Sequence, residues 1–185
     1  MEYNFSVSLV KTEVVVRMDA DGWPSLDFDP TIVLREKRIW VGAGGEGRYG
    51  QFLMPCDTFW GVGGFNEYMR GWGFEDKDLR FRLHSQQQTD LSEFDDSLIG
   101  VLEHGDAERM SVSGFCMRER GLAALRASRL RNRLVAAHCP WGCHSPRSFY
   151  SQSNNFWFLN KSSRPELSAE LNRKLSQASR RCFWG

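Results

Sequence analysis

Hydrophobic positions fall into four short apolar runs and three helical stripes, separated by glycine-rich or acidic stretches. Glu13 to Met18 (EVVVRM) is β-branched and ends at Asp19-Ala20-Asp21-Gly22, which predicts a buried strand running into an acidic turn. Ligands of open α/β sheets gather beyond the carboxyl ends of strands, so these acids stand where a site is expected. Ile39 to Val41 and Phe52 to Met54 flank GAGGEGRYG, a pattern of strand, glycine-rich loop and strand. A helix is predicted from Glu75 to Ser85, with Leu79 and Leu83 on one face and Glu75, Asp76 and Asp78 in the first turn, where the helix dipole favours negative charge. Ser97 to Leu102 reads as a short strand leading to His104. Arg118 to Leu134 predicts a basic helix with Leu122, Leu125, Leu130 and Leu134 as its apolar positions. Residues 136 to 163 read as irregular. Arg164 to Arg181 predicts a last helix, with Pro165 in its first turn and Leu167, Leu171 and Leu175 as a stripe.

The 185 residues suit one domain of ordinary size, and a 13% aromatic content argues against a disordered linker. Net charge is only +1, which removes any global charge-based attraction to nucleic acid. The total hides an asymmetry: residues 1 to 115 carry 11 basic and 20 acidic side chains, whereas residues 116 to 185 carry 13 and 3. Two parts with different jobs are expected, 1–115 and 116–185. The chain lacks a run of apolar residues long enough to span a bilayer and a basic-then-apolar leader. A soluble chain is expected, cytoplasmic by default, or of the Golgi lumen if it is a piece of a longer protein. Five irregularly spaced cysteines do not form a disulfide scaffold. His138, Cys139, Cys143 and His144 are four zinc-competent side chains within seven residues, although the spacing is not that of a finger.

Three elements carry candidate chemistry. Asp19 and Asp21, two apart on a turn, can face one hard divalent cation, whose shell a diphosphate often completes; the bland alternative is a solvated acidic turn. In Gly71-Trp72-Gly73-Phe74-Glu75-Asp76-Lys77-Asp78, adjacent carboxylates at a helix start diverge, so one can contact a substrate hydroxyl while its neighbour accepts a proton. Trp72 offers a face for a sugar ring, and the glycines allow close approach; the alternative is an acid-capped helix with a core Trp. His104 is an imidazole donor placed after a strand. GAGGEG has neither the Lys-Ser/Thr of a P-loop nor dinucleotide-fingerprint spacing, and reads as a lid or substrate loop.

In order, VVVRMDAD, GVGGFNEYMRGWGFEDKDLRFRL and His104 resemble the C-terminal half of a GT-A glycosyltransferase catalytic domain. The resemblance is to the galactosyltransferase-type region shared by animal beta-galactosyltransferases and bacterial chondroitin-type polymerases. It runs from about residue 12 to 106. It implies a partial GT-A, Rossmann-like α/β fold over 1–115, followed by a basic, mainly helical extension over 116–185. It also implies Asp21 and His104 as ligands of Mn2+ or Mg2+, Arg17 and Asp19 on the donor side, Trp72, Gly73 and Glu75 on the acceptor side, and Asp76 as general base. The implied reaction is inverting transfer of a sugar from a nucleotide donor, a UDP-sugar by expectation, to a carbohydrate hydroxyl.

Two departures stand out. Phe74 replaces the second glycine of the family's WGGED, and only eighteen residues precede the acidic turn, where the family has about a hundred residues of nucleotide-binding β/α units. A fragment or a half-domain that needs a missing N-terminal domain or partner chain is therefore expected, with a carbohydrate-binding remnant as the non-enzymatic alternative. A haloacid-dehalogenase-type phosphatase fits less well, since Trp23 stands where it needs Thr or Val.

Overall fold

The β-branched run does form a strand, β1 (Val14–Arg17), followed by β2 (Gly22–Pro24). In the computed structural model, which describes residues 2–43, 48–87, 90–102, 118–153, 156–160 and 163–184, these lie in a mixed α/β fold. A helix α1 (Glu2–Ser8) precedes β1, and α2 (Ile32–Glu36), β3 (Ile39–Val41), β4 (Phe52–Pro55) and α3 (Cys56–Gly61) follow β2. Then come α4 (Glu75–Gln87), β5 (Leu91–Glu93), a 3-10 turn, β6 (Ile99–Val101), α5 (Arg118–His138), β7 (Tyr150–Ser153), β8 (Phe156–Leu159) and α6 (Ala169–Trp184).

The main sheet has the order β1-β4-β3-β5. Only β3 and β5 pair in parallel; β1–β4 and β3–β4 are antiparallel, so the acidic turn leaves a mixed edge rather than the parallel one assumed from the sequence pattern. The reason is loop length: the glycine-rich segment is too short for a parallel crossover and closes β3 onto β4 as a hairpin. A separate pair, β2–β6, joins the turn after β1 to the segment that ends at Leu102.

α4 packs Leu79 and Leu83, both fully buried, against Phe52, Met54, Phe59 and Phe65. Each contributes about 1.5–3 kcal/mol of apolar burial, which fixes the rotation of α4 and so the direction of its acidic first turn.

Three elements differ from the sequence expectation. Residues 136–163 contain a hairpin, β7–β8, against which Phe5 of α1 packs, stacked on Tyr150 at 4.1 Å and tilted against Trp157 at 5.2 Å. The last helix starts at Ala169, not near Pro165, because the Ser168 hydroxyl accepts the Leu171 N–H as an N-cap. Among the described side chains of α5 the fully buried positions are Asn132 and Val135, whereas Leu125, Leu130 and Leu134 are partly buried. α5 and α6 share an apolar cluster of Met69, Val135, Cys139 and Leu175, with Leu167 and Leu171 alongside.

Candidate active site

Arg17 ends β1 opposite Phe52, and its side chain runs inward beneath the acidic turn. Its guanidinium lies over the Tyr3 ring at 4.6 Å and near Phe65 at 5.4 Å. It donates to the Gly50 carbonyl and pairs with two carboxylates, Asp19 Oδ1 at 2.9 Å and Asp76 Oδ1 at 3.0 Å. Burial pulls the guanidinium pKa down, but Asp76 and Asp19 outweigh it and hold it above the ordinary value. A β-carbon at Gly50 would stand 2.5 Å from Arg17 Nη1, 2.6 Å from Asp19 Oδ2 and 3.2 Å from Asp76 Oδ2. A side chain there would push these charged groups aside, and the acidic turn and the start of α4, 57 residues apart in sequence, meet at that point.

Asp21 sits where the acidic turn passes into β2. The Gly22 N–H closes the turn on the Asp19 carbonyl at 2.9 Å, and the Leu102 N–H donates to the Asp21 carbonyl at 2.8 Å. The segment after β6 is thus tied to Asp21. His104 lies two residues further along, outside the described residues.

Residues 71–74 form a tight loop before α4. Gly71, Gly73 and Phe74 all have left-handed backbone, with φ of 71°, 96° and 78°. At position 74 that angle costs a non-glycine residue about 1–2 kcal/mol. Phe74 offsets part of this by packing beside the Met69 cluster. Trp72 remains 43% exposed, with a face open to solvent. Glu75 is half-buried and its Oε2 makes no hydrogen bond; burial first, and the neighbouring Asp76 second, push its pKa up. Asp78 serves the helix instead, since it is buried and paired with Arg82 at 2.7 Å, and Arg82 also donates to the Val62 carbonyl at 2.6 Å. Burial raises the Asp78 pKa against the pull of Arg82.

Arg80, one turn further on, donates to the carbonyls of Gly42 at 2.6 Å and Tyr49 at 2.7 Å and lies 3.8 Å from the Tyr49 ring. It closes both ends of the glycine-rich stretch onto α4. Among the described residues no three His, Cys, Asp or Glu side chains converge as a metal site. Cys139 is buried in the α5–α6 cluster, whereas Cys143 is exposed.

Asp19 and Asp76, with Glu75 and Trp72 beside the latter in sequence, are thus brought to one region. Sequence reasoning missed Asn132, whose amide bonds both the Arg70 N–H and the Gly73 carbonyl at 2.9 Å. Nothing in the local sequence around Asn132 marks it as buried.

Residues 46–104 match the family model described as the N-terminal domain of galactosyltransferase. The chain carries a glycosyltransferase-family segment. That segment holds the end of the glycine-rich stretch, β4, the Trp72 loop, α4 and β6, and ends at His104; β1 and the acidic turn lie outside it. Two curated relatives, each named Validoxylamine A glucosyltransferase, come from Streptomyces hygroscopicus subsp. jinggangensis (strain 5008) and from subsp. limoneus. Each is 53% identical over 32 residues, which cover 17% of this chain and only 8% and 7% of the relatives. No helix among the described residues is long and apolar enough to cross a membrane.

Proposed function

We propose that the chain serves metal-dependent, inverting transfer of a sugar from a nucleotide donor, a UDP-sugar, to a carbohydrate hydroxyl. The observation that carries this reading is the convergence of Asp19 and Asp76 on Arg17, which sets a donor-side acid beside the start of α4.

In this reading Trp72 stacks on the acceptor ring, Glu75 accepts a hydrogen bond from one of its hydroxyls, and Asp76 takes the proton from the attacking one. Arg17 holds Asp76 in place through Oδ1, leaving Oδ2 for the acceptor. Asp19, held by the same arginine, faces the donor. The donor set suits Mn2+ or Mg2+: Asp21 brings carboxylate oxygens, and its backbone bond to Leu102 ties it to the segment that carries His104. When bound, the cation would neutralise charge on the departing nucleotide diphosphate. Catalysis by this chain is part of the proposal, as are a nucleotide-sugar donor, a glycan acceptor and further nucleotide-binding units or a partner chain.

Transfer or donor hydrolysis measured with and without Mn2+ tests the reading in wild type, Asp21→Ala and Asp76→Asn. Loss of turnover in both variants and without metal is expected; turnover that ignores both substitutions overturns the roles. A second reading, a carbohydrate-binding remnant, draws on the family match, which spans the Trp72 loop and α4 but not the acidic turn. Calorimetry separates the two, since glycan binding without UDP or Mn2+ binding favours the remnant.

A further inference from the structure

We infer that Asn132, with Ser128 one turn before it, is a positioning residue that sets the direction of Trp72 and Glu75 and hence acceptor affinity. The inference rests on the acceptor role proposed above for the Trp72 loop. It gives the basic C-terminal helix a part in the site that its charge alone does not suggest.

Asn132 is completely buried. Its Oδ1 accepts the Arg70 N–H and its Nδ2 donates to the Gly73 carbonyl, both at 2.9 Å. Ser128, four residues earlier on the same face of α5, donates its hydroxyl to the Arg70 carbonyl at 3.0 Å. Two side chains of one helix therefore fix the backbone on both sides of Gly71 and Trp72. The approach is close: a β-carbon at Gly71 would stand 2.4 Å from Ser128 Oγ, and one at Gly73 would stand 3.2 Å from Arg129 Cβ.

Burying an amide is costly unless both its ends are bonded, and here both are spent on the same loop. Trp72 is itself 43% exposed, so its direction comes from the flanking backbone more than from packing of its ring. That backbone is left-handed at Gly71, Gly73 and Phe74, a conformation that persists when surrounding structure over-determines it. Releasing one end of the clamp lets the loop relax, and Trp72 and Glu75 then lose part of the contact by which they would hold the acceptor, a loss read in acceptor KM.

The test uses the full chain with UDP-glucose and UDP-galactose as donors and methyl glycosides of glucose, galactose and N-acetylglucosamine as acceptors. Asn132→Asp keeps the acceptor for the Arg70 N–H but sets a carboxylate oxygen against the Gly73 carbonyl. Its acceptor KM should rise about tenfold, the loss of one net hydrogen bond, with donor KM changed less than twofold. Ser128→Ala, at a less buried position, should move acceptor KM in the same direction by roughly two- to fivefold, which keeps the test open if Asn132→Asp folds poorly. A fall in kcat with both KM values unchanged would mean only a smaller folded fraction, and overturns the inference. Wild-type transfer with acceptor KM unaltered in Ser128→Ala and in folded Asn132→Asp overturns it while leaving the proposed function intact. Wild type that neither transfers to nor binds any of the glycosides defeats the proposed function and this inference with it.

Discussion

The acidic turn after β1 and the tryptophan loop before α4 supply carboxylates to the same arginine, but they are held in place by different physics. The turn's side chains are held by charge, Asp19 being fixed on Arg17, while Gly22 and Leu102 N–H groups tie its backbone at the Asp19 and Asp21 carbonyls. The loop is held by neutral, buried hydrogen bonds from Asn132 and Ser128 and by left-handed backbone. Charge pairing adjusts readily to an incoming ionic ligand and, on its more exposed Asp19 side, weakens with salt. A buried amide clamp does neither. Under the proposed function, the difference suits a donor side that takes a charged diphosphate and an acceptor side that presents a fixed surface to a neutral ring.

The sharpest way to break this comparison is Asp76→Asn, which should lower transfer about 10²- to 10⁴-fold with the thermal transition little changed. A large stability loss with transfer preserved would make Asp76 only a partner of Arg17. Arg82→Met probes the neighbouring pair as a control. It strands the buried Asp78 and should destabilise by about 3–5 kcal/mol in urea unfolding, without selective loss of acceptor affinity in the protein that remains folded. Phe74 sharpens the account of the loop. Phe74→Gly and Phe74→Ala lose the same ring, so with a left-handed backbone the glycine variant should be the more stable by about 1 kcal/mol, the reverse of the usual order.

The smallest effect concerns Glu75. Its carboxyl holds a proton to higher pH in the folded chain than the ordinary 4.5, because of burial first and Asp76 second. The folded state thus binds more protons between those two values, and stability falls as pH rises from 4.5 through the raised value. Glu75→Gln should flatten that part of the profile and raise Tm at neutral pH, by about 2–4 °C for each kcal/mol recovered. Asp78 shifts in the same direction, so some slope should survive the substitution.

Much of this was legible in the sequence where periodicity and composition act locally. β1, β3, β4 and α4 stand where EVVVRM, Ile39–Val41, Phe52 and the Leu79/Leu83 stripe place them. The carboxylates of the acidic turn and of α4 were found as separate motifs, and residue type alone marked Trp72 and Glu75. What could not be read was long-range. That Arg17 would bridge Asp19 and Asp76 depends on the β1–β4 register and on the missing β-carbon at Gly50. Asn132 could not be found because a single asparagine in a helix full of arginines carries no local signal of burial. The β7–β8 hairpin escaped notice because its pairing face meets α1, at the other end of the chain.

Glu67 carries a consequence for synthesis. This buried carboxylate accepts the Asn4 amide at 2.9 Å and the Ser148 N–H at 2.7 Å, so one group joins a partner made 63 residues before it to one made 81 residues after it. A ribosome must have translated Ser148 before that junction can close. Until then the nascent chain carries an incompletely satisfied acid in what will become its interior, and this node closes only after every strand of the main sheet has been made.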